Sequence, residues 1–142
     1  MAFEINRVDV WAGDIDDRPG GLSLKLESVM RSGADLDFMI VRRKPEKPGE
    51  AVLFLAPLIG EKQTGAASEA GMNKAAGLHT IRLEGPNRPG LAAGISQTVA
   101  KAGINMRGLS AAAIAGRCVF YLAFETDEDA VAATQVLTSA LG

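Results

Sequence analysis

Two short phrases of the sequence combine residues that can bind a small ligand through the polypeptide backbone. The phrase DDRPGGL covers residues 16–22, and PNRPGL covers residues 86–91. In each phrase Arg-Pro-Gly precedes an apolar run with helical spacing, so we expect a helix N-terminus with unpaired N–H groups. Such a terminus favours anionic groups, and the glycines let a ligand approach the main chain.

The same phrases also have an interpretation that involves no ligand. Proline fixes φ and glycine relieves strain, so Arg-Pro-Gly is good turn-to-helix chemistry by itself. Asp17 and Asn87 can cap the helices that follow. Spacing alone leaves both interpretations open.

The phrases belong to an internal repeat, with a spacing of 70 residues from Arg18 to Arg88. At the same spacing, SGADL at residues 32–36 matches AGINM at residues 102–106. This spacing is about half of the 142-residue chain. We therefore expect two homologous domains, residues 1–76 and 77–142.

The first half is predicted to fold as strand, helix, strand, strand, helix. RVDVWAG is an extended segment, AVLFLA is a buried strand, KPEKPGE is a hairpin connection and EKQTGAASEAG is a short helix. Gly33 is expected to end the first helix. Alternation and helical spacing predict the inward residues Val8, Val10 and Ala12 on the strand and Leu22, Leu26, Val29 and Met30 on the helix.

The second half repeats this order. Strands are predicted at HTIRLEG, INMRGLSAAAIA and CVFYLAFET, and a helix after Pro89 carries Leu91, Ile95, Val99 and Ala102 on one face. Thr126 or Asp127 is expected to cap a last helix. A ferredoxin-like fold needs one more strand per half. Either each half has three strands, or another half or chain completes the sheet, or the Leu78–Glu84 strand closes the first half and opens the second.

The two phrases, each followed by a helix and an AGIN-like strand start, resemble the ACT domain family. The resemblance spans DIDDRPGGLSLKLESVMRSGADL and LEGPNRPGLAAGISQTVAKAGINM, which is most of both halves. It implies an α+β fold of two ferredoxin-like (ACT-type) βαββα(β) repeats, with antiparallel sheets, helices on one face and sheets paired edge to edge. It also implies a regulatory module that binds an amino acid between two such domains.

In the family, the ligand lies between the loop after the first strand of one domain and the second-strand start of a neighbour. The resemblance therefore implies two sets of ligand-binding residues, which are Asn87, Arg88, Pro89, Gly90, Leu91, Asn105 and Met106 in the second half and Asp16, Asp17, Arg18, Gly20, Gly21, Leu22, Asp35 and Leu36 in the first half. The asparagines both donate and accept hydrogen bonds, whereas the carboxylates favour an ammonium and repel a carboxylate. The second half is thus better suited to a zwitterion.

Composition narrows the other classes of function. A net charge of −2 and 5% aromatic residues disfavour nucleic-acid binding. One cysteine, Cys118, and one histidine, His79, supply neither a disulfide nor a zinc site, and they suggest no catalytic dyad. With neither a secretory leader nor a membrane span recognised, we expect a cytoplasmic protein.

The sequence therefore predicts a non-enzymatic regulatory protein without metal or cofactor. We expect it to bind an amino acid or similar small ligand, to form a homodimer, and to act through a partner protein. The alternative is a protein-interaction or assembly module that binds no small ligand.

Overall fold

The computed structural model describes residues 2–142, which divide into two compact units. One, here the inserted unit, comprises Asp9–Ala75. The other, the split unit, comprises residues 2–8 together with Ala76–Gly142. The N-terminal segment thus belongs to the same unit as the second half of the chain.

Each unit contains four strands and two helices. The strands in chain order are β1 (Glu4–Val8), β2 (Trp11–Asp16), β3 (Phe38–Arg43), β4 (Glu50–Ala56), β5 (Asn73–Lys74), β6 (His79–Pro86), β7 (Met106–Ile114) and β8 (Arg117–Phe124). The helices are α1 (Gly21–Met30), α2 (Gly60–Glu69), α3 (Leu91–Lys101) and α4 (Asp127–Leu141).

The strands form two four-stranded antiparallel sheets. Their orders are β3-β4-β2-β5 in the inserted unit and β1-β6-β8-β7 in the split unit. The inserted unit follows the ferredoxin-like order βαββαβ along the chain. The split unit has the same sheet order, but its fourth strand, β1, comes from the N-terminus. The α+β fold with two ferredoxin-like repeats is confirmed, whereas edge-to-edge pairing of the sheets stays a prediction.

The fourth strands correct the sequence prediction at the N-terminus. RVDVWAG is not one strand, since Val8 in β1 pairs with Thr80 and Trp11 in β2 pairs with Leu55. Trp11 and Ile15 point into the core of the inserted unit, whereas Ala12 is only partly buried. The predicted alternation of Val8, Val10 and Ala12 runs from β1 across to β2, so it could not show that the two strands join different sheets. The Leu78–Glu84 segment lies in the split sheet and does not close the first half.

Each unit has its own apolar core. In the split unit the inward faces of α3 and β8 agree with prediction, because Leu91, Ile95 and Val99 and the alternate residues from Cys118 to Phe124 are buried. Ala102 is exposed just after α3. In the inserted unit Val29 is fully buried, but Met30 is 65% exposed, contrary to prediction.

Candidate functional site

The two Arg-Pro-Gly loops end in glycines that begin helices. Gly20 precedes α1 with φ 86°, and Gly90 precedes α3 with φ 82°. Neither helix has a side-chain cap, so the alternative in which Asp17 or Asn87 caps its helix is wrong. The contrast is α4, where the Thr126 hydroxyl accepts a hydrogen bond from the Asp129 N–H at 3.0 Å. The first turns of α1 and α3 therefore keep N–H groups that no side chain covers.

The space beside both glycines is open. A Cβ atom placed on Gly20 or on Gly90 would meet no atom within 4 Å. The positive φ is a conformation that glycine adopts without strain. These glycines are therefore explained by the turn, and they also leave the helix starts accessible to a small molecule.

In the split unit, the loop is fixed by its surroundings while its polar side chains stay exposed. The Asn87 N–H donates to the Gly116 carbonyl oxygen at 2.8 Å, and the Arg88 guanidinium lies 5.7 Å from the centre of the Phe3 ring. Leu91 is only 4% exposed, so its side chain belongs to the core and only its main chain can meet a ligand. Asn87 and Asn105 are exposed.

In the inserted unit, the loop carboxylates already have cationic partners. Asp16 pairs with Arg18 at 3.2 Å, and Asp17 pairs with Arg43 at 2.8 Å. Gly21 is buried, and Leu22 and Leu36 pack partly buried against the core. This loop therefore presents fewer unpaired polar groups than the loop of the split unit.

Within a unit, the loop and the second-strand start lie at opposite ends of the sheet. Pro86, just before the loop, pairs with Arg117, which pairs with Ile114 at the end of β7. Met106, at the start of β7, pairs with Phe124. The nine residues of β7 span about 30 Å. Asn87 and Asn105 of one unit are therefore not brought together.

The inserted unit has the same separation. Asp16 pairs with Glu50, and the Asp17 N–H donates to the Gly49 carbonyl oxygen at 3.0 Å. Phe38, which follows Asp35 and Leu36, pairs with Ala56 at the other end of β4. A ligand that touches both sets of residues therefore needs two domains.

The shifted pKa values belong to surface ion pairs. A hydrogen bond from Arg82 lowers the pKa of Glu84, and one from Arg7 lowers the pKa of Asp127. A hydrogen bond to Asp14 raises the pKa of Lys44. Because each shift has a simple ion-pair cause, none of these groups stands out as an acid–base catalyst.

Two further searches of residues 2–142 bear on other classes of site. No group of three or more His, Cys, Asp or Glu side chains in this part of the chain is placed to hold a metal ion. No helix in the same range combines the length and apolar character needed to cross a bilayer.

Comparisons with known proteins agree with the fold. The ACT domain family model matches residues 79–138. A protein of Bacteroides thetaiotaomicron superposes with a TM-score of 0.77 at 11% identity, covering 92% of this chain and 88% of that chain. Aspartate kinase regulatory subunits from Thermus thermophilus and Thermus flavus have TM-scores of 0.65 and 0.62, each at 16% identity with 100% of this chain and 98% of that chain covered. No curated protein sequence matches significantly.

Residues 79–138 thus form an ACT domain, and the inserted unit repeats its fold. The two ferredoxin-like units in tandem are consistent with the tandem ACT architecture that the Arg-Pro-Gly phrases predict.

The sequence-based prediction did not identify two residues that lie near these loops. Phe3 packs beside Gly85, where a Cβ atom would lie 2.3 Å from the ring. Lys25 lies half-buried on α1, and its ammonium donates to the Ala70 carbonyl oxygen at 2.5 Å. The repeat contained a signal for Lys25, because the residue 70 positions later is the apolar Ile95, so a charged residue stands where the second half has an apolar one. Phe3 gave no comparable signal, since its partner strand lies in the other half of the sequence.

Proposed function

We propose that the chain is a non-enzymatic regulatory protein that binds an amino acid at its Arg-Pro-Gly loops and acts through a partner protein. The observation that carries this proposal is the glycine-capped start of α1 and of α3. An uncapped N-terminus can donate N–H groups to a carboxylate. The fold likeness to two regulatory subunits of aspartate kinase supports a regulatory role.

The loop of the split unit is the better candidate for the ligand. Asn87 is exposed beside the uncapped start of α3, and it can accept from an ammonium or donate to a carboxylate. Asp16 and Asp17 in the inserted unit are held by arginines. We therefore expect the split-unit loop to bind more tightly.

The second side of the site comes from a neighbouring domain, and we propose that a homodimer supplies it. β7 is an edge strand of nine residues, of which only Arg107 is charged. Leu109 and Ile114 on this strand are 41% and 82% exposed. Edge strands of this length and composition are usually covered. Pairing at this edge would present Asn105 and Met106 to a loop of the neighbour.

Binding is tested by thermal unfolding and isothermal titration with each proteinogenic amino acid. A ligand at a hundredfold excess over its Kd stabilises the folded protein by about 2.7 kcal/mol. We expect Asn87→Ala and Asn105→Ala each to weaken binding while leaving the unliganded midpoint nearly unchanged. If no amino acid shifts the midpoint at millimolar concentration, the ligand-binding proposal is wrong.

The exposed β7 edge also favours a second candidate, an assembly module that binds no small ligand. Sedimentation of the full chain separates the two. A dimer that is disrupted by Leu109→Lys but insensitive to every amino acid would favour assembly alone.

A further inference from the structure

A groove in the inserted unit is lined by no residue of the Asn87 loop or of β7. It is bounded by β2 from Asp14 to Asp16, by α1 from Gly21 to Ser28, and by Ala70 after α2. We call it the α1 groove. Its volume is about 440 Å³, which is within the range of small-molecule sites.

The repeat explains why this space is open. In the split unit Leu91 and Ile95 are 4% and 1% exposed, and they fill the space beneath the N-terminal half of α3. Seventy residues earlier, α1 has Gly21 and Lys25. The helices remain in register, because Val29 and Val99 are both buried at matching positions. The groove thus lies where α1 carries Gly21 and Lys25 in place of the two core side chains of α3.

The Gly21 position also cannot regain a side chain. A Cβ atom there would lie 2.1 Å from the Asp16 carbonyl oxygen, which is backbone and cannot move aside cheaply. The start of α1 is therefore held too close to β2 for any residue except glycine. At this point the groove is therefore bounded by the β2 backbone.

The inserted unit also lacks a counterpart of the Phe3 ring. In the split unit β1 pairs with β6 as far as Glu84, and the Phe3 ring lies beside Gly85. In the inserted unit β5 pairs with β2 only at Trp11 and Ala12. Among the described residues, β2 from Asp14 to Asp16 thus has a strand partner on one side only, whereas Gly13 is covered by Gly71 and Met72. This open edge is short for a further strand, since most strands have about five or six residues, and a small molecule fits better.

Most charged side chains around the groove form an ion pair, but Lys25 does not. Asp14 and Glu50 share the Lys44 ammonium at 2.5 and 3.5 Å, and Asp16 has Arg18. Lys25, in contrast, donates a hydrogen bond to the Ala70 carbonyl oxygen, and no ion pair to it is found in residues 2–142. Lys25 therefore lacks an anionic partner, which a ligand carboxylate would supply. Asp14 and Asp16 each already have one cation, but a carboxylate has further acceptor positions for an ammonium.

We propose that the α1 groove is a second amino-acid site, contained within one unit. The ligand carboxylate pairs with the Lys25 ammonium, its ammonium faces the acceptors at the β2 edge, and an aliphatic side chain lies against Ile15 and Leu24. The groove site shares its ligand class with the proposed function and shares Asp16 and Gly21 with the first Arg-Pro-Gly loop, but it shares neither Asn87 nor Asn105. A structural role for Lys25, tying α1 to the end of α2, is the competing explanation.

The test is a titration of the isotopically labelled full chain, followed by NMR, with leucine, valine and alanine as probes. We expect backbone shifts in β2 and α1 and saturable binding. Two analogues of leucine, isopentylamine and 4-methylpentanoate, each lack one charged group and should bind about tenfold more weakly or worse. If either binds as well as leucine, the proposed zwitterion contacts are wrong.

Variants separate the ligand contact from the structural tie. Lys25→Ile, which gives α1 the residue found in α3, should weaken groove binding about tenfold or more, and Lys25→Arg should largely restore it. Ser28→Leu should block the groove without touching Lys25. Lys47→Ala, on the exposed hairpin, is the matched control and should change nothing.

The outcomes also separate this site from the loop site. Shifts confined to residues 87–91 and 105–106 would overturn the groove and leave the proposed function standing. Groove shifts that survive Asn87→Ala and Asn105→Ala would support it. Unchanged affinity in both Lys25→Ile and Ser28→Leu would overturn it, and no binding at either place would overturn both proposals.

Discussion

The starts of α1 and α3 have the same backbone but different interiors. Both follow Arg-Pro-Gly, and both begin after a glycine with φ above 80°. Beneath α3 the core is filled by the side chains of Leu91 and Ile95, whereas α1 has Gly21 and Lys25 at the matching positions. The turn is therefore independent of the packing below it. One copy can keep the loop and exchange core volume for a polar groove.

The first prediction exchanges the residues that differ between the two interiors. Ile95→Lys places a charge at a position that is 1% exposed, so it should destabilise the split unit by about 3–5 kcal/mol. Lys25→Ile should leave the stability of the inserted unit unchanged or slightly higher. Urea unfolding followed by far-UV circular dichroism measures both.

The sequence supplies a probe for one unit. Its only tryptophan, Trp11, lies in the inserted unit, so tryptophan fluorescence reports that unit alone. Ile95→Lys should shift the circular dichroism transition more than the fluorescence transition. Equal costs for Ile95→Lys and Lys25→Ile would contradict the difference between the two interiors.

The second prediction removes the filler that only the split unit has. Phe3→Ala should cost about 3 kcal/mol, because it empties the space beside Gly85. Phe3→Leu should cost less, since it keeps most of the apolar volume. A loss of under ~0.5 kcal/mol in Phe3→Ala would show that β1 does not stabilise the split unit through this ring.

The third prediction tests the shared turn. Gly90→Val and Gly20→Val should each cost about 1–2 kcal/mol, because both positions need a positive φ. Gly90→Val should also reduce amino-acid affinity if the ligand meets α3 there, so affinity and midpoint are measured together. Gly90→Asn is the control for conformation, since asparagine tolerates positive φ better.

The fourth prediction concerns the helix starts. Thr126→Ala should cost about 1 kcal/mol, because its hydroxyl caps α4. Asn87→Ala and Asp17→Ala should cost less than ~0.5 kcal/mol, since neither residue caps a helix. A cost for Asn87→Ala that equals the cost for Thr126→Ala would contradict this assignment.

The smallest effect is expected from acid. Arg7 on β1 holds the pKa of Asp127 on α4 below its ordinary value of about 3.9 through a 2.6 Å hydrogen bond. A lowered folded-state pKa contributes stability that is present above this value and is lost as pH falls through the folded pKa. Asp127→Asn should therefore weaken the pH dependence of the unfolding midpoint of the split unit below about pH 4. Glu46→Gln, on the exposed hairpin, should leave that dependence unchanged.

The sequence predicted what depends on local spacing. Leu91, Ile95 and Val99 were correctly placed inward because i, i+4, i+7 spacing defines a helix face. The same rule misplaced Met30, because it assigned the inward face of α1 from the apolar residues Leu22 and Leu26. It could not anticipate that Gly21, beside Lys25, lies on the inward side of the helix. The resemblance predicted the tandem ACT fold.

What depends on long-range pairing could not be predicted. Nothing in the alternation at Val8 and Val10 shows that the chain changes sheets between them. β5 has only two residues, too few for a recognisable pattern. To predict the α1 groove, one would need to know that Ala70 and β2 lie beside Lys25. The positions of Asn87 and Asn105 at opposite ends of a unit follow from strand register, which spacing does not determine.

The pairing of β1 with β6 has a consequence for the order of events during synthesis. Residues 4–8 leave the ribosome before any of their partners in Thr80–Glu84 exist. At roughly 5–20 residues per second, β1 waits about 4–14 s for them. The inserted unit, whose strands pair only among themselves, can fold during this interval. The inserted unit is therefore the first to be complete on the nascent chain, and translation speed controls how long the β1 segment stays without its partner strand.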